Sequence, residues 1–143
     1  MLENKNISVC FTADQFEKYA DGKSTVVVVD VLRATSVIST AFMEGVEAVI
    51  PVQTLDEALS YKGKEGYIVA AERNAKPIEG FDYGNSPFHY INADVAGEIL
   101  VLTTTNGTKA IHNAREHKVI TASYINIDAV ANHLIEEHND VII

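Results

Sequence analysis

Residues 25–45, TVVVVDVLRATSVISTAFMEG, hold two structural elements and the junction between them. Thr25–Val31 is a β-branched run without polar alternation. A strand with one wet face alternates. A strand buried on both faces does not, and such strands belong to parallel sheets. Ala34–Glu44 places Val37, Ile38, Ala41 and Phe42 at helical spacing, to pack on that sheet, and Gly45 stands where a helix ends. Asp30, Arg33, Thr35 and Ser36 fall between the two, so charges and hydroxyls gather where the strand stops.

Outward from this unit the pattern repeats. Residues 7–11, ISVCF, read as a short first strand, and Ala13–Tyr19 as a short helix with Phe16 and Tyr19 on one face. Asp21-Gly22 marks a turn. Ala48–Val52 is a strand, and Thr54 caps a helix from Leu55 to Lys62, with Asp56 and Glu57 suited to its positive end. Tyr67–Ala71 is a strand ending at Glu72-Arg73. The long stretch Asn74–Pro87 carries Phe81 and Tyr83, which favour an ordered, functional loop. Strands at Glu98–Thr103 and Lys118–Ala122 are each followed by a helix, the first running to Arg115 and the second over Asp128–His138. This alternation predicts an α/β fold, a three-layer α/β/α sandwich around a largely parallel or mixed sheet. Residues 140–143, DVII, open a further strand with nothing after it. The expectation is one domain over 1–143, truncated at its C-terminus.

The chain has 143 residues, 47% apolar, enough for one hydrophobic core. A formal net charge of -9 argues against nucleic acid and anionic membrane surfaces as partners, since both require excess Lys and Arg. It leaves room for a small anion held by local arginines. The lone Cys10 excludes an internal disulfide. No leader pattern and no apolar run near the ~18 residues of a membrane span is present, so a cytoplasmic protein is expected. Self-association is left open.

In open parallel sheets, ligands collect beyond the C-terminal strand ends. Three polar clusters occupy such ends: Asp30–Ser36, Glu72-Arg73 and Thr103–Thr108. Asp30 closes an all-valine run, where a carboxylate needs a partner. It is either a helix cap paired with Arg33 or a ligand for a hard cation such as Mg2+. Arg33 has a fork suited to phosphate or sulfonate. Thr103–Thr108 reads as an anion-binding turn at a helix start, with Gly107 admitting a ligand to the backbone, or as a plain Asn-Gly turn. Asp82 is either a metal ligand or the head of an Asx-turn. Ser86 reads as a helix cap with Pro87 at the first helical position. Walker A, GxGxxG, HExxH and G-x-S-x-G patterns are all missing, which disfavours nucleotide, zinc-protease and serine-hydrolase chemistry.

Taken together, VVVVDVLRATS (26–36), AAERNAKPIEGFDYGNSP (70–87) and VLTTTNGTKAI (101–111) resemble the 2-phosphosulfolactate phosphatases, the ComB family of coenzyme M biosynthesis. The chain departs from the family pattern at Asn74-Ala75-Lys76 and at Phe88-His89-Tyr90. The resemblance implies an α/β fold particular to that family. It also implies Mg2+ as cofactor, a small anionic phosphoester as substrate, and hydrolysis of 2-phosphosulfolactate to sulfolactate and phosphate. Laid on these motifs, Asp30, Glu72 and Asp82 would hold the metal. Arg33 and Arg73 would neutralise phosphate and sulfonate. Thr35, Asn85, Ser86, Thr104, Thr105, Asn106, Gly107 and Thr108 would line the substrate. A phosphatase for another small phosphorylated acid, and an anion-binding module without chemistry, are the alternatives.

Overall fold

The computed structural model describes residues 5–74 and 76–143. The readings placed on the first four residues and on Ala75 lie outside it. The valine run forms β2 (Thr25–Val29), an interior strand of a first sheet. That sheet has the order β1 (Ile7–Ser8), β8 (Val141–Ile142), β2, β7 (Val119–Ala122), with every pair parallel. A second sheet has the order β3 (Ala48–Pro51), β6 (Ile99–Thr103), β4 (Tyr67–Arg73), β5 (Lys76–Pro77). It is parallel except for the β4–β5 hairpin. The parallel α/β architecture is as the sequence reads, but the strands divide between two sheets.

The reason lies in α1 (Ala34–Met43), which is buried from Ala34 to Ala41. Val37, Ile38 and Ala41 pack with Ala70, Leu100 and Leu102 of the second sheet. On its other side Ser39 Oγ lies 3.5 Å from Ser123 Oγ, just past β7 of the first sheet. A helix buried between two sheets must satisfy its hydroxyls internally. Ser39 and Thr40 do so by donating to the carbonyls of Thr35 and Ser36, both at 2.9 Å. The second inner helix is α3 (Gly107–Asn113), whose Ile111 packs in the core clusters of both sheets. The outer helices are α4 (Ile127–Glu136), with Val130 and Leu134 on Val27 and Val141, and α2 (Leu55–Leu59), with Ala58 on Val69 and Val101. The layers therefore run α4, first sheet, α1 with α3, second sheet, α2, two more than the sandwich read from the sequence.

Several local readings shift. Phe42, read as packing, is 48% exposed because the buried stretch of α1 ends at Ala41. Residues 13–18 form a 3-10 helix, and α2 stops at Leu59. Thr54 does cap α2, its Oγ1 accepting from the Glu57 N–H at 3.1 Å. Over its described residues the long loop packs back on the second sheet. Asn74, at φ 55°, turns β4 into β5, a conformation asparagine tolerates better than most residues. The chain then runs back beside β4, bridging Tyr83 to Ala70, and Tyr83 stacks on Tyr90 with ring centroids 5.2 Å apart. Ser86 does precede a 3-10 turn with Pro87 at its first position, but its hydroxyl makes no capping bond. The His89 N–H donates instead to the backbone oxygen of Ser86 at 3.0 Å. Among the described residues, no helix is long and apolar enough to cross a membrane.

Candidate functional site

The C-terminal ends of β2 and β4 and the start of α3 meet where the two sheets face each other. Asp30 is the centre of this meeting. Its carboxylate accepts from the backbone N–H of Ala34 and of Gly107, the first residues of α1 and α3. Asp30 thus lies against two helix starts at once. Gly107 makes the second contact geometrically possible. A Cβ at that position would lie 2.4 Å from the Ala34 Cβ and 2.8 Å from Asp30 Oδ2. The glycine read as admitting a ligand to the backbone admits the Asp30 carboxylate instead.

Burial pushes the Asp30 carboxyl above its ordinary value, and the two N–H groups oppose that push. Glu72, buried at the end of β4, raises it further by like-charge repulsion and outweighs the attraction of Arg33. Asp30 and Glu72 therefore share one electrostatic site across the two sheets. Arg33 sits at the N-cap of α1, and the Leu32–Arg33 peptide bond is cis.

Strand alternation separates Glu72 from Arg73. Ala70 packs toward α1 and Val69 toward α2, so Glu72 shares the face of Ala70 and Arg73 that of Val69. Arg73 makes hydrogen bonds of its own along the second sheet. Its Nη1 donates to the Glu72 carbonyl at 2.7 Å and its Nη2 to Thr103 Oγ1 at 3.0 Å. Arg73 borders a cleft of about 290 Å3 with Gln53, Thr104, Thr105 and Lys109. Asp30 borders a neighbouring cleft of about 620 Å3 with Asn106, Gly107 and Lys109.

The threonines divide by what their hydroxyls already hold. Thr35 is fully buried, and its Oγ1 accepts from the Asp30 N–H at 3.0 Å. Its place is behind Asp30, not against a substrate. Thr104 and Thr108 close a box. The Thr104 N–H donates to Thr108 Oγ1 at 3.1 Å, the Thr108 N–H donates to Thr104 Oγ1 at 3.2 Å, and Thr108 Oγ1 donates to the Thr104 carbonyl at 3.0 Å. Both are buried, so their hydroxyls shape the turn. Thr105 and Asn106 are the exposed members and remain candidates for ligand contact.

Asp82 stands apart. It pairs with Lys62 and accepts from the Val69 N–H at 3.0 Å. The returning loop sets it beside Val69, three residues and roughly 10 Å of strand short of Glu72. Among the described residues, no group of three His, Cys, Asp or Glu is placed to hold a metal ion. The donor set is instead the Asp30–Glu72 pair, and it fits Mg2+, which binds one or two carboxylates together with phosphate oxygens. Asn85 lies in the loop after β5. It is 4% exposed, and its Oδ1 has no hydrogen-bond partner. A buried amide oxygen in that state calls for a ligand or water. Sequence reading passed over Gln53 and Lys109. The signal available for Lys109 was its place directly after the Thr-Asn-Gly-Thr turn.

A profile of the 2-phosphosulpholactate phosphatase family matches residues 10–143. A probable 2-phosphosulfolactate phosphatase of Thermotoga petrophila is 51% identical over 110 residues, 77% of this chain and 48% of the relative. Those of Clostridium kluyveri and Clostridium novyi are 45% and 43% identical over 140 residues, 96% of this chain and 58% and 60% of the relatives. The chain spans about half to three-fifths of the length of these curated relatives. With a match over nearly its whole length, the chain belongs to the 2-phosphosulpholactate phosphatase family.

Proposed function

We propose that the protein is a Mg2+-dependent phosphoric monoester hydrolase that acts in the cytoplasm. Its reaction on this reading is the conversion of 2-phosphosulfolactate to sulfolactate and phosphate, as in coenzyme M biosynthesis. The observation that carries the reading is the Asp30–Glu72 pair. Asp30 ends β2 and Glu72 lies buried near the end of β4, and the charge of Glu72 raises the Asp30 carboxyl more than Arg33 lowers it. Such a pair favours a divalent cation. The names of the relatives support the substrate.

Asp30 and Glu72 hold the ion, and the N–H groups of Ala34 and Gly107 hold the Asp30 carboxylate in place. When bound, Mg2+ supplies Lewis-acid polarisation of the phosphoryl group. Arg73, fixed by Glu72 and Thr103, presents its guanidinium to anionic oxygens, with Thr105 and Asn106 as further donors. Arg33 adds positive charge within reach of Asp30. These groups matter most as charge shifts onto the departing oxygen. Water attacks phosphorus, the bond from phosphorus to the C2 oxygen breaks, and that oxygen leaves with a proton.

The test is phosphate release from 2-phosphosulfolactate with Mg2+ and with EDTA. Release that requires Mg2+ is the expected result. Release from another small phosphorylated acid alone would move the substrate and keep the chemistry. Absence of metal-dependent release from any small phosphoester overturns the reading and leaves an anion-binding module.

A further inference from the structure

Lys109 borders both clefts, the Asp30 cleft and the Arg73 cleft, and among the described residues no other does so. It is the third residue of α3, one step beyond the Thr104–Thr108 box, so its backbone is held by that box. Its ammonium lies 2.6 Å from Asp14 Oδ1, with side-chain exposures of 48% and 76%. An ion pair this open to water stabilises little and is easily exchanged. The guanidinium of Arg73 is different, because it is tied to Glu72 and Thr103 and stays where the sheet puts it.

The site also has an electrostatic difficulty. The chain carries a formal net charge of -9, and Asp30 borders the larger cleft within the field of Glu72. An anion entering between the clefts must meet a compensating cation. We propose that Lys109 is a specificity-determining residue. It would leave Asp14 to bind the second, non-reacting anionic group of a phosphoester that also carries a sulfonate or carboxylate. The assignment rests on the phosphatase reading. A lysine suits this task, being a compact charge on a flexible stem that needs no bidentate geometry. Asp14 then acts as a competing anion that holds the ammonium until a substrate arrives. Phosphoesters with a second anion are selected over those without one.

Two measurements decide it. In turnover, Lys109→Gln raises KM for 2-phosphosulfolactate about tenfold, as expected for losing a hydrogen bond to a charged group. The kcat changes less than KM, and KM for phenyl phosphate, which has no second anion, is unchanged. Lys109→Arg recovers most of the loss. Equal KM increases on both substrates, or no increase, overturn the assignment. In binding, calorimetry with sulfate reads the same cation without turnover. Wild type binding sulfate several-fold more tightly than Lys109→Gln supports the role, whereas equal affinity or no binding by wild type overturns it. If wild type hydrolyses no phosphoester, the phosphatase reading falls, and the sulfate comparison still judges Lys109.

Discussion

The turn from β2 into α1 and the turn from β6 into α3 solve one backbone problem with one residue type. In each, a strand ends, and a threonine four or five residues on accepts from the N–H at the strand's end. Thr35 Oγ1 takes the Asp30 N–H at 3.0 Å, and Thr108 Oγ1 takes the Thr104 N–H at 3.1 Å. The turns differ in what remains afterwards. Thr104 spends its own hydroxyl on the Thr108 N–H. The local box is then complete and its side chains are buried. In the first turn the returning bond is made by backbone, from the Thr35 N–H to the Asp30 carbonyl at 3.0 Å. The Asp30 carboxylate is left over, and it reaches out to a second helix and to the field of Glu72. A strand-end side chain is available to chemistry only when the local hydrogen bonds close without it.

Removing the leftover group should have the largest effect. Asp30→Ala is expected to abolish metal-dependent phosphate release and the thermal shift produced by Mg2+. Asp30→Asn should keep the side-chain shape, one acceptor oxygen and the fold while losing the same activity. A full Mg2+ shift in either variant would break the distinction between the turns. The pH dependence sharpens it. The folded Asp30 carboxyl sits above its ordinary value of 3.8, so the folded state holds this proton more tightly than the unfolded one. Its contribution is greatest below that ordinary value and is lost as pH rises through the folded one. Urea unfolding in EDTA should show wild type losing stability with rising pH relative to Asp30→Asn, and Mg2+ should restore it.

The contact between the turns comes next. Gly107→Ala places a Cβ 2.4 Å from Ala34 Cβ and 2.8 Å from Asp30 Oδ2. Such overpacking costs about 1–3 kcal/mol, measurable by urea unfolding. The boxes themselves can be compared directly. Thr35→Val and Thr108→Val each leave a buried N–H without its acceptor, for a loss of about 1–3 kcal/mol. Thr35→Val should also weaken Mg2+ binding because it releases Asp30. Thr108→Val should act mainly on stability. Equal Mg2+ affinity in the two variants would show that Thr35 does no more than Thr108. The smallest effect is expected at Asp82→Asn, which removes an exposed charge pair with Lys62. Its stability change should stay within about 1 kcal/mol, with the Mg2+ response intact.

Much of this was legible in the chain before any coordinates. The valine run, the helical spacing after it, Thr54 before Leu55 and Gly45 after Glu44 act through neighbours within about four residues, so the sequence states them directly. The three polar clusters do stand at strand ends, and Asp30 lies in the field of Glu72. What failed had partners far away in the chain. Asp82 looked like a third carboxylate until the loop carried it back to Val69 and Lys62. Glu72 and Arg73 read as one polar cluster, and strand alternation turns the two residues to opposite faces.

The sequence alone therefore determined the alternation of elements, the family and the polar strand ends, because each is written in local pattern. Only the tertiary structure decided that the strands form two sheets with α1 and α3 between them. It also decided that Asp30 reaches the starts of both inner helices, and that the Thr104 and Thr108 hydroxyls are already engaged. Those outcomes depend on which surfaces meet across long stretches of chain. Packing and hydrogen-bond accounting settle them, and no single segment contains the information.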